Sequence, residues 1–234
     1  MTVAGTIPEK TSDQLFSCHG TLRLQVYERL REGILLGKYP RGSALTEIRI
    51  ASELGVSRTP VREAFCQLEL DGLVSFTPNK GIVVEGFDQN DLLDLYEVRS
   101  QMESLAAGRA ARKMNDEQIK LLREAYQQEQ IFVQEDNMEA MQKSDAVFHN
   151  LIFNGSGSKI LQNILSPINS YTRQARFISL STKGRSQLVL EEHRKILEAI
   201  EKHDVKMAEQ YMQQHIANAA ASFRKLADLT GGSQ

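Results

Sequence analysis

Four residues in the second half of the chain carry side chains that bind divalent metal ions in proteins: Asp145, His149, His193 and His215. Asp145 and His149 lie four residues apart in SDAVFHNLI, so both side chains share one face of a helix. His193 and His215 lie eleven residues before and eleven residues after Asp204, where one helical pattern ends and another begins. In an antiparallel helix pair, both histidines would stand about 16 Å from that turn, at the same height.

These four residues predict a site of three imidazoles and one carboxylate. Such ligands suit Zn, Ni, Mn or Fe, and we take zinc as the first choice among them. Each histidine taken alone favours the alternative, a surface residue or a hydrogen-bonded one. The convergence of two helices on a third is what favours the metal site.

A pair of arginines at the start of a predicted helix is the second chemical feature. Arg58 and Arg62 occur in LGVSRTPVREAFCQLELDGLV and lie one turn apart on one face. Arginine can donate two hydrogen bonds to guanine, and the hydroxyls of Ser57 and Thr59 suit phosphates. The pair therefore indicates a DNA contact. The alternative is a solvated surface, with Arg62 paired to Glu63 or Glu69.

The elements around the arginines predict a winged helix-turn-helix domain over residues 19–86, after a mobile arm over residues 1–18. Leu22 to Leu36 has helical periodicity, LTEIRIASELGV is a shorter helix ended by Gly55, and a third helix begins after Ser57. The segments LVSF and IVVEG read as a two-stranded wing. The turn between these strands places Lys80 and Gly81 at the tip, where they could approach DNA.

Residues 88–229 have an almost wholly helical pattern and predict an antiparallel bundle of about six helices. The chain is therefore predicted to be mainly α, and residues 230–234 read as a disordered tail. The predicted helix starts are Asp88 or Asn90, Asn115, Asn137, Ser158, Ser186 and Asp204.

The composition excludes a strongly basic nucleic-acid-binding chain. The net charge is −2, with 41% hydrophobic and 25% charged residues, so any DNA site must be local. Two cysteines are too few for a disulfide framework, and Cys66 is predicted to be a buried thiol. We find no secretory signal and no apolar run long enough to span a membrane, which indicates a cytoplasmic protein.

The run LGVSRTPVREAFCQLELDGLV, followed by PNKG, resembles the N-terminal winged helix of the GntR superfamily of bacterial transcription regulators. The resemblance implies that Arg58, Thr59 and Arg62 contact the operator and that Gly81 marks the wing tip. The preceding helix of this family often carries a basic DNA contact just after its first glutamate. Ile48 occupies that place here, and its neighbour Arg49 is included among the candidate DNA contacts.

Residues from about 88 to 229 resemble the all-helical FCD ligand domain of the FadR-like branch of that superfamily. The matching segments are LYEVRSQMESLAAGRAA, SDAVFHNLI, EEHRKILEAI and the late His215. In metal-binding members the aspartate and the three histidines hold the ion, and all four are present. The resemblance also implies that Arg99 meets an effector carboxylate, although an ion pair with Glu103 is the alternative. Arg173 and Arg176 either add to that pocket or lie on the surface.

These features together predict a homodimeric transcription factor, with repression as the expected mode, rather than an enzyme. It would bind a two-fold symmetric operator, and a small organic acid bound at the metal would modulate that binding. When bound to DNA it would lie in the bacterial nucleoid. The alternatives are a metal-dependent hydrolase or isomerase, since three histidines with an open position could activate water, and a regulator whose metal is purely structural.

Overall fold

The structure is a computed structural model and describes residues 21–78, 81–180, 182 and 184–231. It describes the backbone but not the side chains of residues 170, 173–174, 177–178 and 226–231. The chain divides into two compact units, with the boundary between Phe87 and Asp88. The arm predicted over residues 1–18 lies outside the described residues.

Three helices form most of the first unit, as the periodicity predicts. The second helix begins after Thr46, whose hydroxyl accepts a hydrogen bond from the backbone N–H of Arg49. It ends at Gly55, whose left-handed backbone (φ 69°) favours glycine at a helix C-terminus. The helices are α1 (Leu22–Leu35), α2 (Glu47–Leu54) and α3 (Arg58–Leu70).

The wing is a three-stranded antiparallel sheet, one strand more than the sequence predicts. Its strands are β1 (Ala44–Leu45), β2 (Val74–Thr77) and β3 (Gly81–Val84), in the order β1-β3-β2. Leu45 of β1 pairs with Ile82 of β3. Two residues are too few to show the alternation by which a strand is recognised in a sequence, so β1 was missed.

The core of the first unit lies between α1, α3 and the sheet. Val61, Phe65 and Leu68 of α3 are buried as predicted. The prediction that Cys66 is buried is wrong, because its thiol is exposed. Position 66 falls outside the buried stripe of α3, which runs through Pro60, Val61, Ala64, Phe65 and Leu68.

The second unit contains seven helices in its described residues, where about six are expected from the sequence. The extra boundary divides the segment after Ser158 into two helices at Thr172, whose hydroxyl donates to the backbone carbonyls of Ile168 and Asn169. The helices are α4 (Gln89–Lys113), α5 (Asp116–Gln134), α6 (Met138–Gly155), α7 (Lys159–Tyr171), α8 (Arg173–Leu180), α9 (Arg185–Glu201) and α10 (Val205–Gly231).

Side-chain caps start three of these helices at the predicted places. Asp88 and Asn115 each form a capping box, and Asn137 accepts a hydrogen bond from a backbone N–H of α6. The predicted start at Ser186 is displaced by one residue, since α9 begins at Arg185.

The core of the second unit forms around α4 and α10, which pack along each other. The α4 surface there includes small side chains, which let the two backbones approach closely; they are Ala107, Ala110 and Ala111. The last helix α10 continues to Gly231, so it includes two residues of the predicted tail, and residues 232–234 lie outside the description. Among the described residues, no helix has the length and apolarity needed to cross a membrane.

Two leucines on α3 provide a test of this packing. Leu68 is fully buried, whereas Leu70 is 80% exposed on the same helix. We expect Leu68→Ala to destabilise the first unit by about 2–5 kcal/mol, because it removes buried methyl groups and leaves a cavity. Leu70→Ala should change the free energy of unfolding by less than about 0.5 kcal/mol. Urea unfolding measures both values, and equal effects would show that the packing of α3 is misassigned.

Candidate functional site

The four candidate metal ligands converge in the second unit. Helix α6 supplies Asp145 and His149, α9 supplies His193 and α10 supplies His215. One ligand atom from each side chain lies within 4.8 Å of the other three, and all four residues are buried. The antiparallel α9 and α10 bring the two late histidines to the same height, as their equal distances from Asp204 predict.

A glutamate accompanies each histidine of this cluster. In every case a carboxylate oxygen lies within hydrogen-bonding distance of the Nδ1 atom, so that Nε2 faces the centre of the cluster. Metal-binding histidines in proteins commonly have such a carboxylate partner, which fixes the ring orientation. The three pairs are His149–Glu103 at 2.6 Å, His193–Glu129 at 2.7 Å and His215–Glu192 at 2.7 Å.

Two of these glutamates are kept ionised by buried arginines. Burial opposes the charge of Glu103, but Arg99, whose Nε lies 2.5 Å from it, holds the pKa of Glu103 below its usual range. Burial also opposes the charge of Glu192. Hydrogen bonds from His215 and from Arg185, at 2.8 and 2.9 Å for the latter, nevertheless lower the pKa of Glu192 to about 2. Both carboxylates therefore only accept hydrogen bonds.

The carboxylate partners favour the neutral tautomer of His149 and His215 that carries its proton on Nδ1, because an ionised carboxylate only accepts hydrogen bonds. Burial lowers the pKa of His149 in spite of Glu103, and it lowers the pKa of His215 to about 3. Their Nε2 atoms lie 3.2 Å apart, and in this tautomer neither nitrogen carries a proton. Two nitrogen lone pairs therefore face each other in a buried place, an arrangement that repels unless a cation lies between them.

His193 differs from the other two histidines. Its ring stacks on Phe148 at a centroid distance of 4.2 Å. Its Nε2 lies 3.8 Å from Asp145 Oδ1 and has no hydrogen-bond partner among the described residues. Burial disfavours its imidazolium form, but the Glu129 carboxylate outweighs burial and raises the pKa of His193. The unpartnered Nε2 is the third nitrogen that could bind an ion.

Three arginines lie along one side of the cluster. Arg176 is buried, and its Nε lies 2.7 Å from Asp145 Oδ2. Its charge holds the pKa of Asp145 low, although burial alone would raise it. Together with Arg99 and Arg185, it lines a cavity of about 20 Å³ that also touches Asp145 and His215. That volume is about the size of one water molecule.

The structure places the predicted effector arginines differently. Arg99 pairs with Glu103, which is the alternative expected from the sequence, and it also lines this cavity; its contact with an effector stays a prediction. Arg173 lies in α8, but its side chain is outside the described residues. Arg176, for which the sequence allows either a pocket or a surface position, lies in the cavity wall.

Glu129, Glu192 and Arg185 were not recognised from the sequence. Glu129 had a signal that could have found it. It continues the buried stripe of Ile119 and Leu122 on α5, where a charged residue needs a partner. Glu192 and Arg185 carry no comparable signal, because exposed acids and bases are common on helices.

The candidate DNA contacts lie at the exposed start of α3. Ser57, Arg58, Thr59 and Arg62 are all exposed, and the Ser57 side chain makes no capping hydrogen bond. Arg49 on α2 is exposed as well. Gly81 begins β3 with φ 77°, a conformation that favours glycine. Lys80, at the predicted wing tip, lies outside the described residues.

Both arginines contact an acidic residue that the sequence analysis did not consider. Glu47, the first residue of α2, accepts hydrogen bonds from Arg58 and Arg62, at 2.7–3.1 Å. The alternative partners Glu63 and Glu69 form no ion pair with Arg62 among the described residues. The arginines remain 58% and 63% exposed.

Comparison with known proteins identifies both units. The family described as "Bacterial regulatory proteins, gntR family" matches residues 22–84, and the FCD domain family matches residues 94–218. The HTH-type transcriptional regulator YdhC of Bacillus subtilis is 26% identical over 193 residues, which cover 82% of this chain and 86% of that protein. The transcriptional repressor RspR of Escherichia coli is 25% identical over 202 residues, covering 86% and 89%.

The fold is also found among solved structures. Escherichia coli McbR/YncC superposes with a TM-score of 0.73 at 20% identity, covering 88% of this chain and 99% of that one. At this level of identity the likeness establishes the fold. The matched families and relatives are regulators of transcription and not enzymes, which removes the hydrolase or isomerase alternative. The chain therefore belongs to the GntR family of bacterial regulatory proteins and is a DNA-binding transcriptional regulator with a C-terminal FCD domain.

Proposed function

We propose that the FCD unit holds a divalent metal ion through Asp145, His149, His193 and His215, and that a small carboxylate effector binding there alters operator binding. Zinc is the proposed ion, with Ni, Mn or Fe as the other candidates. The regulator would act by this route as a repressor on a two-fold symmetric operator.

One observation carries the metal proposal: the Nε2 atoms of the buried His149 and His215 face each other at 3.2 Å, while each Nδ1 contacts a carboxylate. The unpartnered Nε2 of His193 adds a third nitrogen. Nitrogen lone pairs that converge in a dry site fit a borderline cation such as Zn²⁺. The donor set of three nitrogens and one carboxylate oxygen therefore fits the ion.

The charges around the site support an anionic effector. Four buried or part-buried carboxylates, including Asp145, are accompanied by three arginines. A bound divalent ion would therefore leave an excess of positive charge, and it would supply an open coordination position for a carboxylate oxygen. Arg176 suits the second contact, since its fork can bind a carboxylate and its present partner Asp145 would turn to the ion.

A purely structural metal is the second candidate, and the size of the cavity favours it. About 20 Å³ holds no organic acid unless Arg176 or a neighbouring side chain moves. The effector proposal therefore requires the pocket to open on binding, whereas a structural ion requires no opening.

We also propose a homodimer, in keeping with a symmetric operator. Helices α4 and α7 carry exposed apolar side chains that a second copy could cover. They are Val98 and Leu105 on α4 and Ile160 and Ile164 on α7.

Metal content tests the ligand set. The purified protein should contain about one equivalent of metal by elemental analysis, and His193→Ala and His215→Ala should each lose most of it, because each removes one ligand nitrogen. His203 is the control, since its Nδ1 contacts the Ala111 carbonyl outside the cluster. The control variant is His203→Asn, because asparagine tolerates the positive φ of 54° at this position. Full metal retention in His193→Ala would show that the site is misplaced.

Thermal-shift titration of metal-loaded protein with acetate and larger mono- and dicarboxylic acids tests the effector proposal. We expect Arg176→Gln to keep the metal and to lose roughly 10- to 100-fold in affinity for any acid that binds, because a charged hydrogen bond is removed. Arg123→Gln, at an exposed pair with Glu201, is the control. A protein that needs metal to fold but binds no acid would instead be a regulator with a structural ion.

Fluorescence anisotropy tests the DNA contacts. A duplex selected by the wild-type protein from a random-sequence pool serves as the specific DNA. We expect the double substitution Arg58→Ala, Arg62→Ala to weaken specific binding roughly a hundredfold or more, since two base-reading side chains are lost. Arg123→Ala should leave binding intact. An unchanged affinity of the double variant would place the DNA contact on another surface.

A further inference from the structure

Glu47 accepts hydrogen bonds from both arginines of the candidate DNA-contact surface, which consists of Arg49, Ser57, Arg58, Thr59 and Arg62. Its Oε2 accepts from Arg58 Nε at 3.1 Å, from Arg58 Nη2 at 2.8 Å and from Arg62 Nη2 at 2.9 Å, and its Oε1 accepts from Arg62 Nε at 2.7 Å. Glu47 is 22% exposed and therefore lies deeper than both guanidinium groups. The carboxylate thus contacts both arginines from the less exposed side.

These contacts leave the outer edges of both arginines free to contact bases. A guanidinium carries five N–H donors in a rigid fork, and Glu47 engages only the Nε and one Nη2 donor of each. The Nη1 donors and the second Nη2 donor remain. Guanine is read by two such donors at O6 and N7. Pairing with Glu47 and reading of a base are therefore compatible.

The pairing also changes the charge of the surface. Hydrogen bonds from Arg62 and Arg58 lower the pKa of Glu47 to about 2, so it is ionised at any pH near neutrality. The three side chains together carry one positive charge instead of two. Attraction to phosphates, which gives no sequence information, is weakened, while the direction of the arginine forks is fixed.

We propose that Glu47 is a positioning residue for operator recognition: it holds Arg58 and Arg62 in the orientation that reads bases and limits their attraction to any DNA. The proposal rests on the DNA-binding role of α3. It assigns to α2 a share in specificity although the Glu47 carboxylate itself is turned toward the protein's own arginines.

The experiment compares Glu47→Gln with Glu53→Gln. Both changes remove one acid from α2, so the net charge changes equally, but Glu53 pairs with Lys38 and Tyr39 away from the arginines. Anisotropy titrations use the duplex selected by the wild-type protein and a scrambled duplex, over a range of KCl concentrations. Base preference is measured by repeating the selection with each variant and with Arg58→Ala and Arg62→Ala.

We expect Glu47→Gln to bind the selected duplex roughly tenfold more weakly and the scrambled duplex as tightly as the wild type or more so. Its base preference should relax at the positions where Arg58→Ala and Arg62→Ala also lose preference, and its affinity should fall more steeply with salt. Glu53→Gln should remain within about twofold of the wild type on the selected duplex.

Glu47→Asp separates geometry from charge and serves if Glu47→Gln fails to fold. It keeps the negative charge on a shorter side chain, so we expect lost base preference with the salt dependence of the wild type. Unchanged base preference in both variants would overturn the proposal. Tighter specific binding with preference retained would also overturn it, because Glu47 would then be a brake on binding. If the wild-type protein selects no sequence motif, then Arg58 and Arg62 do not read bases, and the proposal fails.

Discussion

Each histidine of the FCD cluster is held by a buried or part-buried carboxylate, and the arrangement of the second unit depends on that constraint. An ionised group inside a protein costs several kcal/mol unless it is paired, so every glutamate that orients a histidine needs compensation of its own. Glu103 receives it from Arg99 and Glu192 receives it from Arg185. The charged network around the histidines therefore also includes Arg99 and Glu103 on α4, and Arg185 in the first turn of α9.

The pair of Glu129 and His193 is the exception in this network. Neither residue has an arginine in contact among the described side chains, and both have a buried polar atom without a hydrogen bond. Burial raises the pKa of Glu129, while the same carboxylate raises that of His193. The network is thus complete on two sides and incomplete on the third, where a cation would supply the missing charge.

A carboxylate that organises basic nitrogens occurs in both units, with different consequences. Around the histidines the carboxylates are buried or part-buried, and the low dielectric makes each pairing strong and each unpaired group costly. At the candidate DNA-contact surface, the arginines paired with Glu47 are 58% and 63% exposed, so the pairing stabilises the fold little. The effect proposed for Glu47 is on the direction and the charge of the arginines, which would determine how they read DNA.

The sequence predicted the helices well because their signals are local. The caps Asp88, Asn115 and Asn137 act on the next few residues, and each marks a real helix start. The spacing of Asp145 and His149 on one helix face is local in the same way. The positions of His193 and His215 could be predicted as well, although they lie on two helices. In an antiparallel pair, residues at equal sequence distances from the turn lie at the same height along the helices.

What the sequence could not give depends on contacts between distant segments. Glu129 meets His193 across 64 positions, and Glu47 meets Arg62 across 15. Neither distance follows from a periodicity. The short strand β1 is defined by its pairing with β3. Cys66 is exposed because the buried stripe of α3 includes its neighbour Phe65 and not position 66.

X-ray absorption spectroscopy at the edge of the bound metal, on the purified full-length protein, tests the central claim most directly. The account predicts a first coordination shell of nitrogen and oxygen only, with the outer-shell scattering of about three imidazole rings. A shell that contains sulfur, or one with a single imidazole, would contradict it. So would a protein that takes up no metal after incubation with Zn²⁺, because the facing Nε2 atoms of His149 and His215 would then need another explanation.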